Sequence, residues 1–82
     1  MAFINTKHHA KSLSNESWTL PAGYLFGFVE NTGTVNLTLT FNDGTSYTLS
    51  VGNIFPFLFI SNPYESVLIN TTGTTANVYY VT

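Results

Sequence analysis

From residue 16 onward, apolar and polar residues alternate with a period of two, in runs separated by Gly, Asn, Asp, Pro and Thr. That period belongs to strands, whose successive side chains point to opposite faces, and no segment sustains the spacing of an amphipathic helix. The pattern predicts strands near 16–20, 24–30, 34–41, 45–51, 54–60, 65–70 and 76–82, with a further candidate strand in the first residues.

The hairpin TVNLTLTF-NDG-TSYTLSV is the clearest element. Val35, Leu37, Leu39 and Phe41 form the apolar set of its first strand, and Tyr47, Leu49 and Val51 that of its second. Both sets are odd-numbered, so paired positions must sum to an even number. A two-residue loop breaks that parity. A three-residue loop over Asn42, Asp43 and Gly44 pairs Phe41 with Thr45, Leu39 with Tyr47, Leu37 with Leu49 and Val35 with Val51. Gly44 then takes the left-handed position that closes a type I turn with a G1 bulge. The same reasoning makes 65–70 and 76–82 a final hairpin, with Val67 and Ile69 on the side of Ala76, Val78 and Tyr80, Ile69 opposite Ala76 and Val67 opposite Val78. Many short strands with turn residues between them predict one small antiparallel β-sandwich, jelly-roll or immunoglobulin-like, of about seven to eight strands.

IFPFLFI, residues 54–60, is apolar on both faces. Such a run suits a central strand, yet Pro56 lacks the N–H that a central strand needs on both sides. Two readings reconcile these facts: a second face covered by another subunit or by the N-terminal arm, or a strand bent at Pro56 that gives one half to each sheet. The first twelve residues contain both lysines and both histidines and no acid. They read as an N-terminal arm over residues 1–12, anchored by Phe3 and Ile4, ahead of a sandwich over 13–82; a merely polar terminus is the plainer alternative.

Charge changes the picture further. Only 7% of the 82 residues are charged, against about a quarter in ordinary soluble domains. Solubility therefore rests on Thr, Ser and Asn, and colloidal repulsion at a net charge of −2 is weak. That suits a protein largely covered in an assembly. There is no cysteine, so disulfides do not reinforce the fold; seven Phe, five Tyr and one Trp supply an aromatic core instead. Two lysines against four acids disfavour a phosphate-binding surface, and no nucleic-acid partner is expected. No apolar run reaches the ~18 residues of a membrane span, and the opening residues lack the apolar stretch of a signal peptide.

Catalytic patterns are missing. The only histidines, His8 and His9, are adjacent, so on a strand they point to opposite sides and rarely share a metal ion. No Gly-x-Ser-x-Gly elbow or phosphate-cradling glycine loop occurs, and Glu16, Glu30 and Glu65 stand singly at strand ends. We therefore expect no enzyme, no cofactor and no metal. Trp18, Tyr24, Tyr64 and Tyr79 are the candidates for a sugar-stacking surface, should the chain be a carbohydrate-binding module.

LPAGYLFGFVENTGTVNLTLTFNDGTSYTLSVG and VLINTTGTTANVYYVT resemble small β-sandwich virion proteins of tailed bacteriophages, the capsid decoration or cement type, in their Asn/Thr/Gly-rich turns, DGT hairpin and scarcity of charge. The resemblance covers roughly residues 18–82. It implies a structural protein of the virion, assembled in the host cytoplasm, that binds the major capsid protein or another virion protein at subunit junctions and stabilises the shell, as a homo-oligomer with a trimer favoured. The contacts then fall on Phe3, Ile4, Lys7 and Lys11 of the arm and on Phe55, Pro56, Phe57, Leu58 and Phe59. A carbohydrate-binding or host-attachment module, such as a fibre or spike tip domain, shares the same sequence style and is the alternative.

Overall fold

A computed structural model describes residues 7–58 and 64–82; Phe3, Ile4 and Phe59 lie outside the described residues. Among the described residues eight strands follow in order: β1 (His8–Ser14), β2 (Ser17–Leu20), β3 (Phe26–Asn31), β4 (Leu37–Phe41), β5 (Ser46–Leu49), β6 (Ile54–Leu58), β7 (Val67–Asn70) and β8 (Thr75–Val81). They form two four-stranded antiparallel sheets, ordered β1-β8-β3-β6 and β2-β7-β4-β5. Only β4 and β5 are sequence neighbours that also pair. Every other connection crosses from one sheet to the other, and this strand order is that of the jelly roll rather than the immunoglobulin sandwich.

The β4–β5 hairpin has the expected register, with Leu37 opposite Leu49 and Leu39 opposite Tyr47. Its turn closes through the Gly44 amide on the Phe41 carbonyl (2.9 Å) and the Phe41 amide on the Thr45 carbonyl (2.8 Å), with Gly44 at φ +91°. The apolar set is only partly inward, however. Leu37, Leu39 and Leu49 are buried, whereas Val35 and Val51 lie beyond the ladder and are exposed, as is Tyr47 on the edge strand. Alternation tells which side a residue faces, but not whether the opposite sheet reaches far enough to cover it.

The expected final hairpin does not form. β7 pairs with β2 and β4, and β8 with β1 and β3, so the turn at 71–74 is an arch between sheets. Val67, Ile69, Ala76 and Val78 are all buried. They meet across the core rather than side by side, and inward parity is satisfied equally by both arrangements. The arch is tied to the β1–β2 corner: the Thr71 hydroxyl donates to the Glu16 carbonyl (2.8 Å) and the Gly73 amide to Asn15 Oδ1 (2.9 Å).

Buried Asn31 closes the same end of the sandwich. Its amide nitrogen donates to the Val35 and Leu49 carbonyls (2.9 and 3.1 Å), and its oxygen accepts from the Gly33 amide and the Thr74 hydroxyl (3.1 and 3.2 Å). All the bonding capacity of a buried amide is used, which removes the penalty for burying it.

Candidate docking face

Cross-strand registers place each side chain on one of four surfaces. On the outer side of the β1-β8-β3-β6 sheet, one row runs His8, Val81, Phe26, Leu58 and the next Ala10, Tyr79, Phe28, Pro56. The third, Ser12, Asn77, Glu30, Ile54, is polar except at its end. The outer side of the other sheet reads Ser17, Asn70, Thr38, Thr48 and Thr19, Leu68, Thr40, Ser46. One face is aromatic and aliphatic; the other is a field of hydroxyls and amides with one leucine.

The apolar face is open to solvent where β3 and β6 meet: Leu58 is 70%, Ile54 55% and Phe26 41% exposed. Toward β8 the face closes, with Val81 of the first row buried, and it is braced by rings. Phe28 lies 5.6 Å from the Tyr79 ring, and His8 stacks on the other side at 5.9 Å, its Nδ1 2.5 Å from the Tyr79 hydroxyl. Such bracing holds the aromatic surface in one geometry, which lowers the ordering cost of covering it.

Strand β6 settles how its residues divide. Phe57 is buried at 2% exposure and Phe55 packs against the core, the two rings 5.4 Å apart and joined by Tyr24, Phe41 and Tyr47. These two phenylalanines, expected among the partner contacts, are core residues. Ile54, Pro56 and Leu58 point outward. Pro56 is tolerated because β6 is an edge strand, and its ring nitrogen faces the free side. The Asn31 amide bonds the Asn53 carbonyl (3.0 Å), so by alternation residues 55 and 57 bond to β3 while 54, 56 and 58 do not. Neither a subunit covering a central strand nor a bend between sheets is needed to accommodate it.

Residues 8–12, expected in an arm, instead make up most of β1. Lys7 is exposed, its amide and carbonyl bonded to Thr82 at 2.9 Å. Lys11 extends over Trp18 with its ammonium 5.5 Å from the ring. Trp18 is half-buried against Tyr80, which also stacks on His9 at 4.6 Å.

Of the aromatic candidates for sugar stacking, Tyr24 is buried in the core, where burial first and the charge of Glu65 second raise its phenol above the ordinary range. An open cleft at the β1–β2, β3–β4 and β7–β8 corners is lined by Ser14, Asn15, Thr32, Thr34, Thr74, Thr75 and two glycines. It contains neither a ring to stack on nor a group that titrates near neutrality. Among the described residues, no three His, Cys, Asp or Glu side chains converge to hold a metal, and no helix is long and apolar enough to cross a membrane. Comparison of the chain with protein-family models, curated proteins and solved structures returned no match.

Proposed function

We propose that this chain is a non-enzymatic structural protein of a virus particle, a capsid decoration protein that docks on the assembled shell through the outer face of its β1-β8-β3-β6 sheet. The observation that carries the reading is the contrast between the two outer faces. A domain with so few charges leaves Phe26, Ile54, Pro56 and Leu58 together in water, and an apolar patch of this kind marks a surface covered by another protein. The sequence style of phage decoration proteins supplies the setting, and the exposed Tyr64 is the ring on which the glycan-binding alternative would rest. The domain acts as an oligomer, a trimer being favoured, so that each shell contact is multiplied.

The test is binding to shells assembled from the capsid protein of the virus that encodes the chain. Decoration predicts binding to the assembled shell and a raised shell melting temperature, with no binding to free capsid subunits. A paired variant, Ile54→Ser with Leu58→Ser, should stay folded and lose binding. Glycan-array binding with no effect on shells would overturn the reading in favour of host attachment, and a monomer by light scattering would remove the oligomer from it.

A further inference from the structure

Among the described residues, four strand edges border the sandwich, and they are not equivalent. β6 presents Pro56, which has no N–H to offer. β2 and β5 have four residues each. β1 has seven, without proline or bulge. Its bonding direction follows from two ends of one ladder. Lys7 and Thr82 exchange both backbone bonds at 2.9 Å, and the Asn15 amide bonds the Thr74 carbonyl at 3.0 Å. Odd residues therefore bond to β8 throughout, and His8, Ala10, Ser12 and Ser14 turn their N–H and C=O groups to the open side. All four are exposed.

The side chains along this edge have a sign. Lys7 and Lys11 are the only lysine or arginine residues of the chain; with His9 between them they lie on one side of β1, and no acid occurs in the strand. Beside Lys11, the half-buried Trp18 offers an apolar shelf. On the other side, Ala10 and Ser12 are small and continue the outer face. An unpaired edge is a template for an extended segment, whose alternate side chains are read by the flanking surfaces. A second copy of β1 is a poor occupant, because antiparallel self-pairing sets Lys11 opposite Lys11, Lys7 or His9 of the copy according to register and offers it no acid.

We propose that the free edge of β1 is an acceptor site for an extended, acidic segment of a partner polypeptide, which joins the sheet as a fifth strand next to β1. The segment alternates Asp or Glu, set against Lys7 and Lys11, with residues of strong β-propensity.

The test is NMR of the full chain titrated with a seven-residue peptide alternating glutamate and valine, and with its lysine-for-glutamate counterpart. Binding of the acidic peptide should slow hydrogen exchange at the amides of His8, Ala10, Ser12 and Ser14 at least tenfold and leave the already bonded amides of His9, Lys11 and Leu13 unchanged; the basic peptide should do neither. Ala10→Pro removes an outward N–H without touching a β1–β8 bond and should abolish binding. Should that variant fail to fold, Lys7→Glu with Lys11→Glu provides an independent reading, because it should invert the preference towards the basic peptide. Equal response to both peptides, wild-type binding by a folded Ala10→Pro protein, an unchanged preference in the charge-swapped protein, or protection of these four amides through dimerisation without peptide would each overturn the proposal.

Discussion

Phe57 and Leu58 are adjacent in sequence and opposite in environment, and that contrast gives the sharpest test of how β6 divides between core and surface. Phe57 is 2% exposed and contacts the rings of Tyr24 and Phe55; Leu58 is 70% exposed. Truncating a buried phenylalanine to alanine costs about 3 to 5 kcal/mol. A domain of 82 residues has a total stability of about 4 to 12 kcal/mol, so Phe57→Ala should consume a large part of it. With a urea slope of ~1 kcal/mol per molar for so small a domain, the midpoint should fall by about 3 to 5 M, or the chain should not fold at all. Leu58→Ser removes a side chain that the fold does not cover and should shift stability by less than ~0.5 kcal/mol. Complete burial of a leucine is worth roughly 1.5 to 3 kcal/mol. Covering the exposed part of Leu58 in a complex is then worth about 1 to 2, and its loss should weaken docking about 5- to 30-fold. Equilibrium urea unfolding and shell binding read the two effects separately. A Leu58→Ser midpoint more than 1 M below wild type, or a Phe57→Ala midpoint within 1 M of it, would refute the assignment of the two faces.

Gly27→Ala should destabilise by at least the upper end of the ~1 to 3 kcal/mol of overpacking, because the added methyl meets the Tyr79 carbonyl at 2.2 Å and the Tyr80 Cα at 2.9 Å, both backbone; thermal unfolding measures it. Asn31→Ala should cost at least ~2 kcal/mol, since it leaves the Leu49 carbonyl and Thr74 hydroxyl without the partner they have now. Stability should fall as pH rises past 10. The Tyr24 phenol is held protonated by the fold but ionises in the unfolded chain near its ordinary value of 10, so its contribution is complete below that pH and declines above it by about 1.4 kcal/mol per unit. Tyr24→Phe should flatten this limb of the stability curve, as read by urea midpoints between pH 9 and 11.

The legible part of this fold is its local part. The Gly44 turn is written in the three residues that form it, and parity over Leu37, Leu39 and Leu49 then determines the β4–β5 register. β7 and β8 show where such reasoning stops. Val67 and Ile69 face the core together with Ala76 and Val78 whether the strands are neighbours in one sheet or opposed in two, and only the pairing partners of each strand distinguish the cases. Those partners are distant: β8 pairs with β1 and β3, and the bonds that pull the 71–74 arch to the β1–β2 corner come from Asn15 and Glu16. The proposed docking face is half legible. IFPFLFI announced excess apolar surface, but Phe55 and Phe57 supply the core, and the exposed remainder joins Phe26 and Phe28 of β3 through a pairing that alternation does not reveal. In β1 a single apolar core residue, Leu13, stands among polar and charged ones. A strand at the margin of a sheet needs little more, because snorkelling side chains such as Lys11 cover what remains.

Pro56 links the two surfaces of the β1-β8-β3-β6 sheet to its edges. An apolar face that adjoins an unprotected edge strand invites uncontrolled association, since a second sheet can pair with the edge while burying the face. Here the face is most exposed beside β6, and that edge is the one interrupted by proline. At the opposite margin β1 is unpaired among the described residues, but there the side chains are small or basic, so pairing without matching acidic residues gains little. The two proposed modes of association, by face and by edge, thereby fall on opposite margins of one sheet, and each would demand a different complement: flat apolar surface at β3 and β6, an extended acidic strand at β1. A low-charge domain cannot rely on repulsion to limit its association, and this separation of surfaces restricts it by geometry.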